Sequence, residues 1–336
     1  MTLPYRTRQT LRRFGIALLA LLFLAVLVWG CWIIWLSRFV IYTRDGAKLD
    51  FSLPEQISAG QLAVKPKPGE KIPINYSDQN ETLTTELTQL GGYYVEVSAL
   101  KEDISAVKSQ IQALPAGTPV MIDVKNIYGS FFYSTNVGAS YTTTVDVHAM
   151  DELIDFLDSS GMYTIARLPA LRDREYGLHH VSDGLPTAGG YLWMDDDGCY
   201  WLNPISSGTL SYLIQITNEL KKLGFDEVVF YDFYFPETSS IVYKEDKVQA
   251  LTTAANTLVA SCATDSFAVS FVGNAEFPLP EGRSRLYVEN AEASSAASIA
   301  QQTGLENPAV RLVFLTQVHD TRFDQYGVLR PLSAAH

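Results

Sequence analysis

From about residue 91 onward the chain alternates short apolar runs with longer segments of helical periodicity, and this order limits its fold more than any other feature. Runs starting at Tyr93, Val120, Tyr163, Val228, Phe267, Arg285 and Val310 read as strands, rich in β-branched and aromatic residues. Between most of them lie helical patterns, at Lys101–Leu114, Asp146–Ser160, Ser206–Leu223, Lys244–Cys262 and Ala291–Gln302. Alternating strands and helices of this length imply a parallel sheet with helical crossovers, so the expectation is an α/β fold. At this length the natural closure is a (β/α)8 TIM-barrel-like domain. Seven strands are legible; no helix fits between the fifth and sixth, and no eighth strand is evident after Gln317. The barrel is therefore expected to be incomplete or irregular in its second half. A doubly wound open sheet is the alternative, but the glycine-rich phosphate loop that should follow an early strand is missing.

The region before residue 91 has a different character. Phe14 to Leu36 is an uninterrupted run without charge, long enough to cross a hydrocarbon core of about 30 Å as one helix. Arg6, Arg8, Arg12 and Arg13 precede it, and Trp29, Trp32 and Trp35 lie near its far end. The positive-inside rule then predicts a cytoplasmic tail (1–13), a single transmembrane helix (14–36) and a body on the outer face of a bacterial cytoplasmic membrane. A cleaved signal peptide is the rival, but no small-x-small cleavage site follows the run. A lipoprotein anchor at Cys31 fits less well, with Trp29 just before it and apolar residues continuing after it. Residues 37–90 show little periodicity, and the Lys65-Pro66-Lys67-Pro68 stretch reads as an extended spacer joining the membrane to a domain at 91–336.

Charge narrows the partners. The formal net charge is −12, and because the first thirteen residues hold four arginines and no acid, the remainder carries −16. An acidic body without a basic stripe argues against nucleic acid as a partner. Cys199 and Cys262 lie far apart in sequence and read as unpaired buried thiols. No cofactor motif is present. No zinc spacing appears, and Asp195-Asp196-Asp197 lacks the spacing and closing glutamate of a calcium loop, so no metal site is expected.

The organising stretch for function is Gly224 to Pro236. Gly224 stops a helix, Val228–Tyr231 makes a strand buried on both faces, and Asp232 sits among aromatics at its C-terminal end. In parallel α/β folds active sites are built at that end of the strands. By strict alternation Phe230 and Tyr234 should share the face of Asp232. Glu96, Asp123, Lys125, Arg167 and Glu289 also lie at or near C-terminal strand ends. Each alone is as readily a structural ion-pair partner, for example Asp123 with Lys125 or Arg167. Together they are harder to explain that way, because every buried charge must be compensated. Two carboxylates flanking a bond are what glycoside hydrolysis uses, about 5–5.5 Å apart for retention and about 6.5–9.5 Å for inversion. Trp201 and Tyr234 are candidate sugar-stacking rings.

Specific motifs then point to a family. Val120-Met121-Ile122-Asp123-Val124-Lys125-Asn126 with Gly129, Gly161-Met162-Tyr163-Thr164-Ile165-Ala166-Arg167, Arg172-Asp173, Trp201-Leu202-Asn203-Pro204 and Leu223 to Pro236 stand in the order and spacing of one family. Residues 92–240 thus resemble the bacterial glycoside hydrolase domain of the α-amylase-like TIM-barrel type, a family named from fold similarity more than from assay. The resemblance implies Asp232 as nucleophile and a carboxylate after the fifth strand as acid/base. Glu276 is the nearby candidate and Glu289 competes with it. It implies a carbohydrate substrate, and the strand-end residues Glu96, Asp123, Lys125 and Arg167 with the rings of Trp201 and Tyr234 are the expected substrate-binding residues. The family carries an arginine two residues after the strand aspartate, where this chain has Tyr234, so another cation, such as Arg167, must replace it. The expected function is that of a membrane-anchored hydrolase of a cell-surface or cell-wall glycan, with a glycan- or protein-binding barrel that no longer catalyses as the alternative.

Overall fold

The structure, a computed structural model, describes residues 86–138 and 144–335, together with the backbone of 40–43 and 46–49. The basic tail, the expected membrane span at Phe14–Leu36 and the Lys-Pro spacer lie outside the described residues. Among the described residues no helix is long and apolar enough to cross a membrane. Within 37–90 two short strands, β1 (Val40–Thr43) and β2 (Gly46–Leu49), pair antiparallel as a hairpin that the weak periodicity there did not announce.

Eight parallel strands close the barrel: β3 (Gly91–Val95), β4 (Pro119–Asp123), β5 (Tyr163–Pro169), β6 (Glu227–Tyr231), β7 (Ala268–Val272), β8 (Leu286–Glu289), β9 (Leu312–Leu315) and β10 (Gly327–Pro331). β10 lies between β9 and β3 and completes the ring. This corrects the reading of seven strands. The eighth is short, ends at a proline, and follows β9 through turns rather than through a helix, so no change of period flags it. The expected irregularity of the second half is present: β7 and β8 are joined by the helix-free segment 273–285.

The helices form where apolar residues recur on one face. Val147–Ser159 buries Met150, Leu153, Ile154 and Leu157, the i, i+3, i+4, i+7 stripe, and Asp146 caps it by accepting the N–H of His148 and Ala149. Ser207–Lys222 buries Tyr212, Leu213, Ile216 and Leu220, then stops at Gly224, whose φ of 89° suits a residue without Cβ. The helix expected at Lys101–Leu114 is two, Val97–Glu102 and Ile104–Gln112, because Asp103 leaves the helical conformation to cap the second.

Alternation along the strands separates two cores. Outward residues such as Ile122, Ala166, Leu168, Val228, Phe230 and Phe271 pack with the helical stripes. Inward residues Met121, Ile165, Val229, Tyr287, Val313 and Leu329 fill the barrel. Beneath them lies a buried polar layer. Glu227, fully buried, accepts hydrogen bonds from Arg285, Ser270, Tyr163 (2.9 Å) and Tyr287 (3.0 Å). Arg285 also donates to the carbonyls of Val310 and Thr88, each at 3.0 Å. Every oxygen of that carboxylate is satisfied, which is the condition under which a buried ion pair is tolerated.

Candidate active site

The strand order puts five of the expected residues at one end of the barrel. Asp123 and Arg167 are register partners on β4 and β5. Arg167 donates to both oxygens of Asp123 (3.0 and 3.3 Å) and, through its other Nη, to Glu289 at 2.6 Å. Its guanidinium also lies 4.4 Å from the centroid of the Tyr231 ring. A single arginine thus bridges the mouth from β4 to β8. Burial pushes the Asp123 carboxyl above its ordinary value and Arg167 pulls it back, while Glu289 reinforces the rise. Burial works against the charge of Arg167, but Asp123 and Glu289 outweigh it and hold the group protonated.

Asp232 reaches the mouth by a route that alternation does not predict. Its φ is 52°, in the left-handed region, so the strand ends there with a twist. Val229 and Tyr231 face inward by ordinary alternation, Tyr231 beneath Arg167, while Phe230, expected to face the mouth with Asp232, is buried in the outer core against Phe271. The backbone is fixed from the next strand: Ala170 donates to the Tyr231 carbonyl at 2.8 Å and Leu171 to that of Asp232 at 3.3 Å.

Those two bonds deliver the next residue, Arg172, whose Nη1 stands 4.0 Å from Asp232. Arg172 is thus the cation that stands beside Asp232. Arg167, the expected substitute, is committed to Asp123 and Glu289. Arg172 is held in turn by Asp195 (2.6 Å) and Asp197 (2.5 Å), and Trp201 donates its indole N–H to Asp195 at 2.9 Å. Asp195 and Asp197 therefore act as an arginine clasp, with Asp195 also accepting the backbone N–H of Asp197 and Cys199. Burial raises the Asp195 carboxyl, but the bonds from Arg172, the Cys199 amide and Trp201 prevail and hold it below its usual value. For Asp232 the balance goes the other way. Burial raises it, Arg172 and then Arg167 oppose, and Glu289 and Asp195 add to the rise.

A cavity of about 640 Å³ opens beside Asp232, lined among others by Tyr234, Glu276, Phe277 and Glu289. The three expected catalytic carboxylates thus share one space. Glu276 comes from the helix-free segment after β7 and is exposed. Tyr234 is half exposed on the rim, its ring 5.0 Å from that of Trp201. Trp201 itself is buried, so its role here is to support Tyr234 and Asp195. On the far side of the Arg167 bridge a smaller depression of about 210 Å³ holds Glu96, Asp123 and Tyr94. Lys125 does not join either. The strand ends at Asp123, and Lys125 is buried in an ion pair with Asp173 at 2.7 Å, which Tyr212 completes at 2.9 Å. Cys199 and Cys262 are both buried and free.

Arg172→Gln tests the pairing through pH. The guanidinium favours the ionised form of Asp232, so its removal raises that carboxyl further. If ionised Asp232 acts in the reaction, the acid limb of the kcat/KM profile moves to higher pH. Movement of the basic limb instead would make Asp232 the proton donor.

A family model described as "Putative glycosyl hydrolase domain" matches residues 97–269, more than half of the chain. Solved structures similar to the chain include a hypothetical protein from Ruminiclostridium thermocellum, at 18% identity and TM-score 0.46, covering 54% of this chain and 96% of that one. Another is the glycoside hydrolase domain of PelA from Pseudomonas aeruginosa, at 11% and 0.46, covering 74% and 96%. A third is a GH20 exo-β-N-acetylglucosaminidase from Vibrio harveyi in complex with N-acetylglucosamine, at 11% and 0.48, covering 68% of this chain and only 41% of that one. No curated protein matches the chain.

Proposed function

The chain belongs to the putative glycosyl hydrolase domain family, and from that premise we propose that it cleaves a glycan at the mouth of its barrel, using Asp232 with Glu276 or Glu289. One observation carries the reading: those three carboxylates line a single cavity of about 640 Å³ at the C-terminal ends of the strands. One carboxylate attacks the sugar or activates water, and the second protonates the leaving oxygen. Arg172 opposes the rise that burial imposes on the Asp232 carboxyl, and Tyr234 offers a ring face to a sugar. The substrate is a cell-surface or cell-wall glycan. It is reached by a body that the uncharged Phe14–Leu36 run anchors to the outer face of the membrane, with the four arginines inside. The basis of the anchoring is the sequence pattern alone.

The test is release of new reducing ends from surface and wall glycans by the purified full-length chain. Glu276→Gln and Glu289→Gln should each slow release by about 10²-fold or more if that residue transfers the proton. A second reading, a barrel that binds glycan without cutting it, is supported by the Arg167 bridge, which engages both Asp123 and Glu289. Saturable glycan binding with no reducing ends from any substrate would favour it over hydrolysis. Protease treatment of intact cells checks the topology: a body that resists digestion until the membrane is opened would overturn the outward orientation.

A further inference from the structure

The cavity at the mouth holds more negative charge than bond cleavage uses. Its charged lining is Asp232, Glu237, Glu276 and Glu289 against Lys247 alone. Hydrolysis of a glycosidic bond employs two carboxylates. The nearby cations are already engaged: Arg167 by Asp123 and Glu289, Arg172 by Asp195 and Asp197. Lys247 lies over the Phe235 ring, 5.5 Å from its centroid. Among the described residues none of these three cations is paired with Glu237 or Glu276. Glu237 follows Pro236 in the loop after β6 and is exposed on the cavity wall. The adjoining depression adds Glu96 and Asp123 around Arg167, and the chain beyond its basic tail carries −16.

A sugar that fills this space strips water from the carboxylates, and a desolvated carboxylate without counter-charge is costly. Sugar hydroxyls offset part of that cost by hydrogen bonding. An ammonium group offsets the charge itself, whereas a uronate or phosphate on the glycan would add to it. We propose that the glycan accepted here is cationic, its sugar residues carrying free amines as in a de-N-acetylated hexosamine polymer, and that Glu237 is the specificity-determining carboxylate that meets the ammonium. The proposal deepens, and rests on, the reading of this cavity as the glycan site.

Binding separates the two ideas because it needs no turnover. Glucosamine, galactosamine and mannosamine, their N-acetyl derivatives and the corresponding uronic acids are titrated onto the full-length chain by calorimetry. At least one free amine should bind about tenfold tighter than its N-acetyl form, and uronic acids should bind worst. The preference should shrink as salt is added, since it is electrostatic. Glu237→Gln, a change on an exposed loop, should reduce the preference to under about threefold. The proposal is overturned by equal binding of amine and N-acetyl sugars, by tighter binding of uronates, by a preference that survives Glu237→Gln, or by no amine binding up to about 10 mM. Selective amine binding without any cleavage would remove the hydrolase reading and leave this one standing. Cleavage of neutral glycans without amine preference would do the reverse.

Discussion

Asp232→Asn is expected to lower kcat/KM for glycan cleavage by about 10³-fold or more, a loss of about 4 kcal/mol of transition-state stabilisation. Asparagine keeps the size of the side chain but can neither attack the sugar nor take a proton from water. The substitution is unusually clean at this position. Residue 232 has a φ of 52°, and asparagine is among the few residues other than glycine that occupy that region readily. Alanine there would add backbone strain to the loss of the carboxylate and confound the two. Asp232→Asn should therefore unfold within about 1 kcal/mol of the parent in urea. A variant that is folded and keeps more than about a tenth of the parental rate would take Asp232 out of the chemistry.

Arg285→Met is expected to cost about 3–5 kcal/mol of folding stability, the largest effect predicted for a residue remote from the mouth. Glu227 and Arg285 have essentially no exposed side-chain surface, and removing the cation leaves a buried carboxylate with only hydroxyl donors. The loss is not one of packing, since methionine retains much of the apolar stem. The double variant Arg285→Met/Glu227→Leu should recover part of the loss, because a buried pair replaced by apolar groups is often near neutral. The recovery stays partial, since the hydroxyls of Tyr163, Ser270 and Tyr287 then lose their acceptor. Equilibrium unfolding of the two single variants and the double closes the cycle. A double variant no more stable than Arg285→Met would show that the polar layer holds the barrel by something other than compensation of charge.

What the sequence discloses follows from how local each signal is. Strands buried on both faces are continuous apolar runs, so β4 to β8 are legible from residues 119–289 alone. β10 is not, because its identity as a strand depends on pairing with β3, far away in the chain. At the site, position at a strand end was enough to single out Asp123, Arg167, Asp232 and Glu289. Whether a residue just beyond a strand still alternates was not legible. Lys125 turns away once the strand ends at Asp123, and the left-handed turn at Asp232 breaks alternation there, so Asp232 does not share the face of Phe230. The Arg172 clasp was also hidden. Its residues were all visible as Arg172-Asp173 and Asp195-Asp196-Asp197, but only the fold of the 170–205 loop brings them together.

The ring has a consequence for the order of events during synthesis. Its first strand, β3, pairs with its last, β10, in a register that sets Val328 against Gly91. A chain emerging from its N-terminus therefore holds β3 with one side unpaired until almost the whole domain has been made. Until then Gln89 lacks the carbonyls of Asp324 and Tyr326 to which it donates at 2.9 and 2.8 Å. Such a non-local closure is slow, and the waiting edge is a template for pairing with another chain. The nascent domain is thus most exposed to misassembly just before its end is released, and the cavity around Asp232 acquires its final shape only at that last step.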